Sequence, residues 1–230
     1  MDCNCDEIAR MIDHSLLRPE LTADDVREGC RIARKYKVAT VCCSPSEVAV
    51  VKELLDGSGV KTTTVVGFPH GYNTTATKVF EAEQAIKDGA VELDMVLNIG
   101  RLLSGDYEYV KNDIIAVVEA AHRHNVLVKV ILENHYLTDE QKKAACRLCE
   151  QAGADFVKTS TGFAAGGATL EDLELMRKNV SQKIQVKAAG GIRDLETALK
   201  VRQAGCTRFG ATRTEMIMEE CFAKAAREQK

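Results

Sequence analysis

Two lysines, Lys158 and Lys187, each close a short apolar run and open into small residues and glycine, in Asp155-Phe156-Val157-Lys158-Thr159-Ser160-Thr161-Gly162 and Ile184-Gln185-Val186-Lys187-Ala188-Ala189-Gly190-Gly191. On neighbouring strands of a parallel sheet, the two ammonium groups would share one small, partly dry volume. Their repulsion then makes one of them easier to deprotonate. At about 6 Å and an effective dielectric of about 20 the repulsion is about 3 kcal/mol, roughly two pKa units, and desolvation pushes the same way. A neutral amine at pH 7 is a nucleophile, and with an aldehyde or ketone it forms a Schiff base. A single strand-end lysine often only snorkels to solvent or pairs with a carboxylate. Two of them, each leading into glycine, favour the chemical reading. Asp94, in Val91-Glu92-Leu93-Asp94-Met95-Val96-Leu97-Asn98, is costly in an apolar segment unless paired or used, and it suits pairing with a lysine and relaying protons.

Elements able to position these groups recur along the chain. Apolar, β-branched runs occur around Met11-Asp13, Val38-Cys43, Lys61-Val66, Val91-Met95, Leu127-Leu132, Phe156-Lys158, Ile184-Ala188 and Arg208-Gly210. Amphipathic stretches lie between them, among them Thr22-Tyr36, Thr75-Asp88, Asp106-His124, Thr138-Gln151 and Asp194-Ala204. Thr22 and Thr138 carry N-cap signals, and Gly89, Gly153 and Gly205 stand where C-terminal caps turn the chain toward the next strand. Eight βα repeats in 230 residues predict an α/β fold, a closed parallel (β/α)8 TIM barrel formed as one domain over 1–230. No early Gly-x-Gly-x-x-Gly points to a dinucleotide fold. In such a barrel the strand C-terminal ends line the active site, and Asp13, Asp94, Glu133, Lys158 and Lys187 are expected there.

Composition narrows the ligand class. A net charge of -3, from 31 basic and 34 acidic residues spread through the chain, gives no polycationic face for nucleic acid or an anionic membrane, so a small molecule is the expected partner. The acidic first residues lack the basic and apolar regions of a secretion signal, no window nears the ~20 apolar residues that span a bilayer, and a cytosolic location is expected. Nine cysteines are an odd number, so one chain cannot pair them all; core filling in a reducing compartment is the simpler reading. Cys3-x-Cys5 and Cys146-x-x-Cys149 lack a matching Cys or His pair at structural-zinc spacing, and no metal is expected.

Three loops offer backbone N–H groups for a phosphate: Thr161-Gly162-Phe163, Gly190-Gly191-Ile192 and Gly210-Ala211-Thr212. The last two follow the seventh and eighth strands, where barrels commonly bind phosphate, although Gly-Gly after a strand is often only a tight turn. Cys42, ending the second strand, either faces the same mouth or is a small buried hydrophobe.

Five segments together, Asp13-His14-Ser15-Leu16-Leu17, Gly67-Phe68-Pro69-His70-Gly71, Glu92 to Asn98, Val157-Lys158-Thr159-Ser160-Thr161-Gly162-Phe163 and Val186-Lys187-Ala188-Ala189-Gly190-Gly191-Ile192-Arg193, resemble the 2-deoxyribose-5-phosphate aldolase family over nearly the whole chain. The resemblance implies the same closed barrel and a reversible, metal-free and cofactor-free aldol cleavage of 2-deoxy-D-ribose 5-phosphate to acetaldehyde and D-glyceraldehyde 3-phosphate. It also implies that Lys158 forms the Schiff base, that Lys187 tunes its pKa, and that Asp94 shuttles protons with Lys187 and a bound water, supported by Asp13. Ser15 and Thr161 become candidates for the substrate hydroxyls, and Gly162, Gly190, Gly191, Gly210 and Thr212 for the phosphate. Family members are often dimers or tetramers, so a homodimer or homotetramer is open.

The chain departs from the family pattern in two places. Gly210-Ala211-Thr212-Arg213-Thr214 replaces small hydroxyl residues after strand eight, so Arg213 either contacts the phosphate or points outward. Glu133-Asn134-His135 follows strand five, where His135 adds a titrating group at the mouth or, as the better reading, is a surface histidine. Two other functions stay open: a related Schiff-base aldolase for another short aldehyde, and a noncatalytic sugar-phosphate-binding barrel.

Overall fold

The computed structural model describes residues 4–228. Every apolar run expected to be a strand is one: β1 (Ile12–Leu16), β2 (Thr40–Cys43), β3 (Lys61–Val66), β4 (Glu92–Val96), β5 (Leu127–Ile131), β6 (Phe156–Lys158), β7 (Gln185–Ala188) and β8 (Arg208–Ala211). Each pairs in parallel with the next, and β8 pairs back to β1, closing the barrel. The strands are buried on both faces, which explains why they read as continuous apolar runs rather than alternating ones.

Helices surround the barrel: α1 (Cys5–Met11), α2 (Ala23–Tyr36), α3 (Val48–Leu54), α4 (Thr75–Asp88), α5 (Ile99–Leu103), α6 (Tyr107–His122), α7 (Asp139–Gln151), α8 (Leu170–Lys178), α9 (Leu195–Gln203) and α10 (Thr214–Glu228). Thr22 and Thr138 form capping boxes with Asp25 and Gln141, satisfying N–H groups that the first turn would otherwise leave bare. Gly89, Gly153 and Gly205 take positive φ at the ends of α4, α7 and α9, as their spacing predicts. A buried pair fixes the outer layer to the barrel: Lys78 of α4 donates to Asp113 of α6 at 2.6 Å and to the carbonyl of Val96 in β4 at 2.9 Å.

Six cysteines are buried and unpaired, in keeping with core filling. Cys5 of α1 and Cys221 of α10 are joined as a disulfide, a pairing the sequence reading does not anticipate. Cys3 lies outside the described residues. No helix among the described residues is long and apolar enough to cross a membrane.

Candidate active site

Lys158 and Lys187 are direct partners in the β6–β7 ladder, which sets both amines on one level of the barrel interior. Asp13 and Asp94 are not at strand ends, where the sequence reading places them. They lie within β1 and β4, deeper in the barrel, and strand tilt carries their carboxylates beneath the lysines. Lys158 Nζ donates to Asp94 Oδ2 at 2.6 Å, and Lys187 Nζ donates to the same oxygen at 2.7 Å and to Asp13 Oδ2.

Three further charges, absent from the sequence-derived site, complete the cluster. Lys129 of β5 meets Glu92 at 2.5 Å and Asp94 Oδ1 at 3.0 Å. Arg208, at the start of β8, reaches Asp13 Oδ1 at 2.6 Å and both oxygens of Glu92 at 3.0 and 3.2 Å. The signal was present in both strands: a lysine amid Leu127-Val128-Lys129-Val130-Ile131, and a glutamate two residues before Asp94, on the same side of the strand.

Four cations and three carboxylates thus share the barrel interior, leaving one positive charge over. Lys129 touches three carboxylates and Lys187 and Arg208 two each, whereas Lys158 touches one, through an oxygen that Lys187 also occupies. Lys158 is therefore the cheapest cation to neutralise. Its pKa lies below the ordinary lysine range, first because burial disfavours the ammonium and then because Lys187 repels it, with Asp94 opposing both. Burial also works against charging Lys187, but Asp13 and Asp94 outweigh it and raise its pKa. The two pKa values are thus pushed apart, Lys158 down and Lys187 up, with burial rather than repulsion the larger cause of the lowering at Lys158. Asp94 is pushed well below the carboxylate range, since Lys129, Lys158 and Lys187 outweigh its burial. Cys42 is 1% exposed and packs against these charges rather than lining the mouth; burial raises its thiol to about 11.

Above the cluster opens a cavity of about 170 Å³ with Lys158 in its wall. All three expected phosphate loops line it, through Gly162, Gly190, Gly191, Gly210 and Thr212, together with Ser15 and Thr161. Gly190 has φ +84°, and a Cβ there would meet Gly167 Cα at 2.9 Å, so glycine is required by both conformation and space. Thr161 donates its hydroxyl to Glu133 and accepts the Phe163 N–H at 3.0 Å, which leaves one acceptor lone pair free for a ligand hydroxyl. Glu133 itself sits at φ +56°, a left-handed conformation rare outside glycine, and is buried just past β5.

Arg213 does not reach this cavity; it lines a separate cleft with His14 and Glu215. The guanidinium groups at the cavity are those of Arg18 and Arg193, the latter directly following the Gly190-Gly191-Ile192 turn. His135 is exposed and lines neither this cavity nor the one beside it, in accord with a surface histidine.

This arrangement can hold an anion at one end of a small cavity and a carbonyl carbon against the Lys158 amine at the other. A family model described as DeoC/LacD family aldolase matches residues 8–213. The deoxyribose-phosphate aldolase of Caldanaerobacter subterraneus subsp. tengcongensis is 53% identical over 93% of this chain and 93% of its own length. That of Thermococcus kodakarensis is 52% identical over 93% of this chain and 96% of its own. The tetrameric deoxyribose phosphate aldolase from Aeropyrum pernix superposes with a TM-score of 0.89 at 31% identity, covering 96% of this chain and 93% of that one. The chain belongs to the DeoC/LacD family of aldolases.

Proposed function

We propose that this protein is a deoxyribose-phosphate aldolase, a lyase that reversibly cleaves 2-deoxy-D-ribose 5-phosphate to D-glyceraldehyde 3-phosphate and acetaldehyde through a Schiff base on Lys158, with no metal or organic cofactor. One observation carries the assignment of the nucleophile: Lys158 is the cation of the cluster with a single carboxylate partner, whose oxygen it shares with Lys187, and it lies in the cavity wall.

The neutral Lys158 amine attacks the C1 aldehyde, forming a carbinolamine. Asp94 and the Lys187 ammonium, which share the Oδ2 hydrogen bond, supply the proton with which hydroxide leaves as water. The resulting iminium is an electron sink. As Asp94, through water, takes the C3 hydroxyl proton, the C2–C3 bond breaks and its electron pair enters the C1–C2 enamine. D-glyceraldehyde 3-phosphate departs, C2 is protonated, and hydrolysis of the iminium frees acetaldehyde and Lys158. Asp13 holds Lys187 charged and in place. The 5-phosphate lies against Gly162, Gly190, Gly191, Gly210 and Thr212, facing Arg18 and Arg193, and the substrate hydroxyls meet Ser15 and Thr161. Residues 1–230 act as one cytosolic barrel domain that assembles as a homodimer or homotetramer; light scattering on the purified protein reads the assembly.

The test is turnover of 2-deoxyribose 5-phosphate with coupled detection of glyceraldehyde 3-phosphate, beside Lys158→Ala and beside unphosphorylated 2-deoxyribose. Lys158-dependent turnover that prefers the phosphate ester supports the reading. Equal use of both sugars points to another aldehyde substrate, and no turnover of either points to a binding barrel.

A further inference from the structure

The charged groups around Lys158 fall into two layers. The upper layer holds Lys158 and Lys187 with the Oδ2 atoms of Asp94 and Asp13, two cations on two carboxylates. The lower layer holds Arg208 and Lys129 with Glu92, two cations on one carboxylate, and it engages the Oδ1 atoms of the same two aspartates. The surplus positive charge of the site therefore originates in the lower layer. Phe156 lies two residues before Lys158, on the same side of β6. Lys129 Nζ and the Arg208 guanidinium carbon stand 5.8 and 5.7 Å from its ring centroid, so both cations pack against one aromatic ring.

Arg208 is partly exposed and borders a cleft that Arg10, Lys37 and Lys61 also line, yet its guanidinium turns inward to Asp13 and Glu92, where Lys129 joins it on Glu92. We infer that Arg208, Lys129 and Glu92 are positioning residues for the reaction: together they carry one surplus positive charge beneath Lys158, which keeps its amine free of a proton, and they turn both aspartates so that Oδ2 faces the lysine pair. The inference rests on Lys158 being the nucleophile. Cys42 from β2, Asp94 from β4 and Lys187 from β7 act directly on Lys158; beyond them Asp13 from β1, Lys129 from β5 and Arg208 from β8 act on these groups or on one another, and Glu92 from β4 acts on Lys129 and Arg208. Arg18, from the loop after β1, and Arg193, from the loop after β7, line the cavity with it.

The sign of the effect is open to test, since removing a cation and removing an anion from the same layer must act oppositely. Arg208→Met cancels the surplus charge, so Lys158 keeps its proton to higher pH. Glu92→Gln doubles the surplus, so Lys158 loses its proton at lower pH. Across the layer each change should move the acid limb of kcat/KM, and of borohydride trapping on Lys158, by about one pH unit.

The experiment is the pH profile of both quantities with 2-deoxyribose 5-phosphate for the intact protein, Arg208→Met, Arg208→Lys and Glu92→Gln. The expected result is an upward shift in Arg208→Met, a downward shift in Glu92→Gln, and a profile close to the parent in Arg208→Lys. Shifts in the same direction, or none, overturn the inference. If Arg208→Met does not fold, the nearly isosteric Glu92→Gln decides alone: an acid limb that stays or rises overturns it. A parent protein that traps no sugar on Lys158 refutes the aldolase reading instead, so the two failures are distinguishable.

Discussion

Lys78 and Lys158 are both nearly fully buried, both have pKa values lowered chiefly by burial, and each donates to a carboxylate oxygen at 2.6 Å. Lys78 has Asp113 as its own carboxylate partner, with the Val96 carbonyl as a second acceptor, and it lies between α4, α6 and β4 away from the cavity. Lys158 must share Asp94 Oδ2 with Lys187, in a cluster with more cations than carboxylates, and it borders open space. Burial alone therefore does not make a nucleophile. A surplus of positive charge, an acceptor held in common and an entrance for the electrophile distinguish the proposed nucleophile Lys158 from the structural Lys78.

The sharpest break in this comparison is substitution of each lysine in turn. Lys158→Ala should lower turnover by at least about a thousandfold, whereas the folded fraction of Lys78→Ala should turn over within about twofold of the parent, both read by the coupled assay. Stability should show the reverse. Lys78→Met leaves Asp113 buried without its cation and should cost about 3–5 kcal/mol in denaturant unfolding, much of it regained in Lys78→Met/Asp113→Leu, which removes both charges.

Lys187→Met sharpens the comparison through pH. The cluster loses its surplus charge, so Lys158 keeps its proton to higher pH; turnover at pH 7 should fall by about tenfold or more and partly return as pH rises. Lys78→Met should leave the shape of the pH profile unmoved. The smallest effect belongs to the anion end. Arg193→Ala should raise KM for the phosphorylated sugar by about tenfold while leaving that for 2-deoxyribose unchanged, and Arg213→Ala should alter neither.

The contrast between Lys78 and Lys158 was only half legible in the sequence. Lys158 and Lys187 announce themselves because each ends an apolar run beside glycines, and the alternation of runs and amphipathic stretches gives the barrel strand by strand. Lys78 reads as an ordinary lysine of an exposed helix, since its burial depends on how α4 packs against α6. Lys129, Glu92 and Arg208 stayed hidden for a related reason. Strand tilt in a closed barrel brings residues from different positions of β1, β4, β5 and β8 into one layer, and no linear spacing encodes that convergence. Arg213 illustrates the limit at a loop: one residue of turn geometry decides whether a side chain faces the cavity or the cleft beside α10, and the guanidinium groups at the cavity come from Arg18 and Arg193.

On the proposed mechanism Lys158, alone among the buried lysines, carries a neutral amine at working pH. Incubation with 2-deoxyribose 5-phosphate and sodium borohydride at pH 7, followed by peptide mass mapping, tests it most directly. One added mass is expected, on the peptide containing Lys158. An adduct on Lys187 or Lys129, or none at all, would contradict it.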